Sequence, residues 1–236
     1  MFIVAAATWI EGATMPGIPG FDRSDYPGDD VMTWLRAHTN LQWCGYYFAP
    51  APSHGDTSWM ARRSALVAAG WGIAPIYVGQ QITGPGSHNP SAGQGTTDGA
   101  SAAAFMASEG FEAGRCVYLD LENGPPLTTQ LRDYVATWCD AVLQGGFLPG
   151  VYCSHGFAID VHDLRSDVRI WAFNVSATRS HPVPAPFPDT HPSGCGYLGA
   201  SAWQLGQSCV IDVPPANLGK LIVDLSTALS ADPSQA

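Results

Sequence analysis

From residue 17 to residue 227 of this 236-residue chain, short apolar runs that read as strands alternate with longer patterns that read as helices. No other feature constrains the fold as much. The strand candidates are "GIPGFD" (17–22), "WCGYYF" (43–48), "GIAPIYVG" (72–79), "RCVYLDLE" (115–122), "PGVYCS" (149–154), "VRIWAFNV" (168–175), "ASAWQLGQ" (200–207) and "LIVDLS" (221–226). Helical patterns follow the first four at 29–39, 57–70, 96–110 and 127–146, and a shorter one occupies 156–164. Asp29 is a plausible cap for the first, and Gly70 a good stop for the second. Strand–helix alternation favours a parallel sheet. Eight repeats within ~250 residues are the size of a TIM barrel. The expected fold is therefore α/β, a single (β/α)8 barrel over 1–236, with helices irregular or missing after strands five to seven. Its core would span about 17–227 and be followed by a short flexible tail. A doubly wound open sheet competes, but "GQGTTDG" (93–99) has neither the GxGxxG spacing nor a Lys-Ser/Thr ending.

The barrel frame gives meaning to the carboxylates. Strand side chains alternate between faces, so Asp120 and Glu122 of "VYLDLE" share one face, roughly 6–7 Å apart. Asp22 ends the first strand candidate and Asp224 lies near the end of the eighth. First and last strands are neighbours in a closed barrel, so all four acids can converge over one end. Crowded carboxylates raise one another's pKa, which leaves a protonated acid beside an ionised partner. Glycosidic bond cleavage uses such a pair. Two long loop candidates, residues 81–95 and the proline-rich 178–199, would border the same end.

Charged residues make up only 13% of the chain, about half the usual ~25%, so few acids are left to be anonymous surface charge. The net charge is -10, with Lys220 the single lysine among ten basic residues. Without a basic run or stripe, nucleic acid is excluded as a partner, and docking on anionic polymers is disfavoured. No apolar run reaches the ~20 residues of a membrane span. "MFIVAAATWIEG" lacks a positive n-region and is interrupted by Glu11, so it does not read as a signal peptide. The chain is expected to be soluble. The six cysteines show no CxxC and no zinc spacing. Cys116 and Cys153 read as small buried hydrophobes, while Cys195 and Cys209 flank a loop they could bridge or leave open. No metal or cofactor is required by any motif, although metal binding by the acids with His54 or His155 is an alternative, and no GxSxG elbow supports a serine hydrolase.

Aromatic residues decorate the strand candidates that end beside the acids: Tyr46, Phe48, Tyr77, Tyr152, Trp171 and Trp203. Sugar rings stack on such side chains. Gln80, Asn123, Asn174 and Gln204 add neutral groups that suit hydroxyls better than phosphates.

In order along the chain, "GFDRSDYPG", "GYYF", "PIYVGQ", "DGxxxA", "VYLDLE", "PGVYCS", "WAFN", "AWQL" and "VDLS" resemble the glycoside-hydrolase-like barrel family known as domain of unknown function 1906. More distantly they resemble the family 25 lysozymes. The resemblance implies Glu122 as proton donor, Asp120 as the group that orients or polarises a substrate acetamido, and Asp22 and Asp224 as the rest of an acidic cluster. It implies a neutral or N-acetylated polysaccharide substrate, peptidoglycan first, and action outside the cell or at its envelope. A non-catalytic carbohydrate-binding barrel is the alternative. "WAFN" departs from the lysozyme pattern at Asn174, where those enzymes commonly continue to a tyrosine, and the loop that follows is longer here.

Overall fold

The computed structural model describes residues 15–178, 182–214 and 219–235. The amino-terminal "MFIVAAATWIEG" lies outside them. The eight strands are β1 (Ile18–Asp22), β2 (Trp43–Tyr47), β3 (Gly72–Val78), β4 (Cys116–Leu121), β5 (Leu148–Ser154), β6 (Arg169–Thr178), β7 (Ala200–Val213) and β8 (Gly219–Ala228). They close in sequence order into one barrel. The helices are α1 (Asp29–His38), α2 (Arg63–Ala68), α3 (Ala92–Ser108), α4 (Thr129–Gln144) and α5 (Ala158–Leu164). Among the described residues the connection after β6 holds only a 3-10 turn, Pro192–Cys195, and no helix follows β7.

Local chemistry sets these boundaries. Ser91 caps α3 by accepting from the Gln94 N–H, which starts that helix four residues earlier than its apolar pattern suggests. Thr128 caps α4 in the same way. Gly28, not Asp29, precedes α1; Asp29 is its first helical residue and complements the positive end of the helix. Of the 57–70 pattern only Arg63–Ala68 is helical, because Ala61 is held at φ 65 with its N–H on the Glu109 carboxylate.

Strands β1 to β7 run parallel, but β8 is antiparallel to both β7 and β1. The all-parallel expectation fails here. A strand that follows its predecessor by a hairpin must reverse, and only a crossover would let it run parallel. The β7–β8 hairpin also runs past the barrel, with partners out to Val213 and Gly219, and forms a wall beside the mouth.

The barrel interior is aromatic. Trp171 meets Trp43 and Tyr118 edge to face at 5.3 and 5.6 Å. Gly20 and Gly150 make room for them, since a Cβ at either would fall 2.1 Å from Trp43 or 2.6 Å from Tyr118. The tail expected to be flexible instead closes the base: Ser234 donates to Ile73 O and its carbonyl accepts from the Cys116 N–H. Asp232 pairs with Arg115 at 3.4 Å, and Tyr118 donates to Pro233 O. These bonds occupy backbone groups that the barrel floor would otherwise leave open. Cys195 and Cys209 are not bridged to each other, and all six cysteines are buried. No helix among the described residues is long and apolar enough to cross a membrane.

Candidate active site

The four acids meet at the mouth. Asp22 closes β1 and is the register partner of Asp224 in β8. Because β8 is antiparallel, Asp224 reaches the mouth from the middle of its strand and not from its carboxyl end. Asp120 is the penultimate residue of β4, and Glu122 follows directly after it. Asp22 and Asp120 are buried, each about 6% exposed, whereas Glu122 stands at the open rim. Gly45 is part of the fit, since a Cβ there would sit 2.6 Å from the Asp22 Cβ.

Neutral donors hold the cluster. The Tyr47 hydroxyl donates to Asp22 Oδ1 at 2.8 Å. Asp224 accepts from Gln204 Nε2 at 3.0 Å and from the Ser208 N–H at 2.7 Å, and Gln204 in turn accepts from the Tyr152 hydroxyl at 2.6 Å. Gln81 spans the end of β4: its Nε2 donates to Asp120 O at 2.9 Å and its Oε1 accepts from the Glu122 N–H at 3.0 Å. Asp22 Oδ2 and Asp120 Oδ1 are buried without a protein partner.

Burial raises all four carboxyls, and the neighbouring negative charges add to it at Asp22, Asp120 and Glu122. Desolvation pushes Asp120 well above the ordinary carboxyl range, and the charges of Glu122, Asp22 and Asp224 add to it. Asp22 is raised by burial and by Asp224, partly offset by the Tyr47 hydrogen bond. Glu122 is raised by desolvation and then by Asp224. Asp224 is also raised by burial, but the Ser208 N–H and Gln204 amide pull it back. Tyr47 and Tyr152 are raised well above 10 by burial and the adjacent carboxylates, so both remain hydroxyl donors. The four acids titrate as one set that shares protons.

Two arms of a cleft meet at Glu122. One, of about 400 Å³, is lined by Tyr152, Ser154, His155, Phe173, Asn174 and Gln204, among others. The second, of about 390 Å³, is lined by Asp22, Arg23, Asp25, Tyr47, Ile222 and Asp224, among others. Between them lies a cavity of about 30 Å³ bordered by the four acids, Tyr47, Ile76, Tyr152 and Trp171.

Of the expected sugar-binding residues, Tyr152, Asn174 and Gln204 line this cleft and Trp171 forms its floor. The others do not. Tyr46 and Phe48 point outward, where Tyr46 donates to Glu109 and Phe48 stacks on Phe105 of α3. Tyr77 packs beside Trp138 of α4. Gln80 is buried in a network with Asp98 and the Tyr134 hydroxyl. Trp203 lines a separate proline-rich hollow with Val183, Pro184 and Pro186. Asn123 ties the loop after β3 to the end of β4 by accepting from the Ile82 N–H. Each misplaced aromatic is one residue away from an inward-facing one: Tyr47 lies beside Tyr46 and Phe48, Ile76 beside Tyr77, and Gln204 beside Trp203. His155, a candidate partner of the acids, lines the first arm, whereas Tyr47, Gln81 and Phe173 join the site with no motif that marks them. Gly45 was a usable signal for Tyr47, because a small residue two positions away on the same face marks the crowded interior.

A family model described as Rv2525c-like, glycoside hydrolase-like domain matches residues 34–211. That span contains Asp120 and Glu122, while Asp22 and Asp224 flank it. Three solved structures share the fold. The Mycobacterium tuberculosis Tat-secreted protein Rv2525c, in complex with L-tartrate, is 16% identical, covers 92% of this chain and 97% of its own, and has a TM-score of 0.60. The catalytic domain of endolysin ply40 from bacteriophage P40 of Listeria monocytogenes is 15% identical over 93% of this chain and 96% of that one, with a TM-score of 0.55. GHIP, a glycosyl hydrolase 25 of Streptococcus pneumoniae, is 11% identical over 89% and 86%, with a TM-score of 0.58. A search of the curated proteins finds no match.

Proposed function

This chain belongs to the Rv2525c-like, glycoside hydrolase-like domain family, and from that premise we propose that it is a glycosidase acting on a neutral or N-acetylated polysaccharide such as peptidoglycan. The observation that carries the reading is the placement of Glu122 at the junction of two cleft arms, above three further carboxyls. A polymer lying along both arms would present a glycosidic oxygen at that junction.

Glu122 is the member of the proton-sharing set that reaches the open cleft, so it is the group able to hand a proton to the leaving oxygen. Its raised pKa keeps the proton available toward neutral pH. Asp224, held by two donors, is the member best prepared to carry negative charge. Asp22 and Asp224 then stabilise the positive charge that develops on the sugar ring. Asp120, buried beside Glu122, faces the nitrogen substituent of the substrate sugar or sets the proton balance of Glu122. Tyr152, Phe173 and Asn174 form the sugar-holding wall. The endolysin and glycosyl hydrolase 25 relatives support the reaction class, and the Tat-secreted relative supports action outside the cytoplasm.

The test is a digest of peptidoglycan, chitin and neutral glycan panels with the protein and with Glu122→Gln, analysed by mass spectrometry. Wild type should release fragments, and Glu122→Gln should slow release by about 10²–10⁴-fold while still binding the glycan. If both proteins bind glycans equally and neither cleaves any, the barrel is a binding module.

A further inference from the structure

The cavity between the two arms has a composition that the glycosidase reading leaves unexplained. Four carboxylates border it, and the cation of the second arm is committed elsewhere: Arg23 donates to Asp25 Oδ2 at 2.6 Å and to Ile222 O at 3.1 Å. Asp22 and Asp120 are both more than nine-tenths buried, and each has a carboxylate oxygen without a protein partner. Buried polar atoms are seldom left unsatisfied, so these oxygens call for a donor from outside the chain. Among the described residues no three acids, histidines or cysteines come together closely enough to hold a metal ion.

We propose that this cavity receives the ammonium group of an amine-bearing hexosamine, a glucosamine unit without its acetyl group. The inference rests on the reading of the cleft as a glycan site. Size selects the group. About 30 Å³ admits one or two water-sized groups, and an ammonium is of that size while an acetamido is several atoms larger. Charge selects it as well. An ammonium offers three donors and a positive charge, and it can bridge carboxylates too far apart to ligate one metal ion. The two arms differ in the same sense. Apart from Glu122 at the junction and His155, the first is lined by neutral groups such as Asn174, Gln204, Ser154 and Tyr152, a surface suited to an N-acetylated unit. The second carries Asp22, Asp25, Glu122 and Asp224 against Arg23 alone, which repels an anionic sugar and attracts a cationic one. The ligand class is a partly de-N-acetylated polymer of glucosamine, with an amine-bearing unit at the acids and an N-acetylated unit in the first arm.

The experiment is calorimetric titration of the full chain at pH 6 and low salt with two probes, tetraglucosamine and tetra-N-acetylglucosamine. Mass spectrometry of the recovered probe reports cleavage separately. Tetraglucosamine should bind at least ten-fold more tightly, about 1.4 kcal/mol. Asp120→Asn and Asp22→Asn should each reduce that preference to two-fold or less. Glu112→Gln, an equal loss of charge at the exposed ion pair with Arg115, should leave it intact. Equal affinities, or tighter binding of the N-acetylated probe, would overturn the proposal. So would a preference that Glu112→Gln lowers as much as Asp120→Asn and Asp22→Asn do, which would mean that net charge alone attracts the amine. A preserved preference with no cleavage of any glycan would sink the glycosidase reading and leave this inference standing.

Discussion

Gln81→Ala is the perturbation that most directly connects the stability of the barrel to the geometry of its acids. Strand pairing between β3 and β4 ends at Val78 and Asp120. Beyond that point the Gln81 side chain substitutes for a strand backbone, giving one hydrogen bond to Asp120 O and taking one from the Glu122 N–H. Gln81 is only 3% exposed, so water does not readily replace either bond. Two net hydrogen bonds at roughly 0.5–1.5 kcal/mol each amount to about 1–3 kcal/mol. The space vacated by the rest of the side chain adds about 1 kcal/mol. The variant should therefore be less stable by about 2–4 kcal/mol, which lowers Tm by roughly 4–16 °C for a chain of this size. Urea and thermal unfolding followed by circular dichroism measure both quantities. Gln81→Glu keeps an acceptor for the Glu122 N–H but, once ionised, sets an oxygen against Asp120 O, so its loss should grow as pH rises. A Gln81→Ala protein within about 0.5 kcal/mol of wild type would refute the idea that this amide holds the end of β4.

The raised pKa of Asp120 has a definite sign in stability. A carboxyl whose folded pKa lies above its unfolded value stabilises the fold at low pH and loses that contribution as pH climbs through the folded value. Asp120→Asn mimics the protonated form, so it should be more stable than wild type at pH 7 and equal to it below about pH 3.5, as read from urea midpoints at both pH values. Leu119→Ala removes a fully buried side chain whose Cδ1 lies 2.5 Å from where a Gly79 Cβ would stand. It should cost about 2–5 kcal/mol in the same unfolding assay, and a change near zero would mean that this face of β4 is not packed. Tyr152→Phe breaks the relay through Gln204 to Asp224 and should weaken oligosaccharide binding by calorimetry, whereas Tyr77→Phe, on the outer face, should leave it unchanged.

The sequence by itself determined the element order, the closed eight-stranded barrel and the four acids that meet at its mouth. Those conclusions rest on local rules: strand–helix alternation, and the two-residue period that puts Asp120 beside Glu122. It could not determine which aromatics face the cleft. Strands β2, β3 and β4 are buried on both faces, so polarity does not alternate along them, and a one-residue error in parity turns every side chain around. In β2 the local pattern points to Tyr46 and Phe48, whereas Tyr47 is the residue inside. The tertiary structure alone decided the direction of β8, because "VDLS" reads the same in a parallel or an antiparallel strand and its direction follows from the hairpin with β7. That direction puts Asp224 opposite Asp22. Closure of the base by residues up to Ser234, and the grip of Gln81 on β4, join groups 39 or more positions apart in sequence. No local pattern encodes such contacts, since they exist only once the barrel has closed and left particular backbone groups in need of partners.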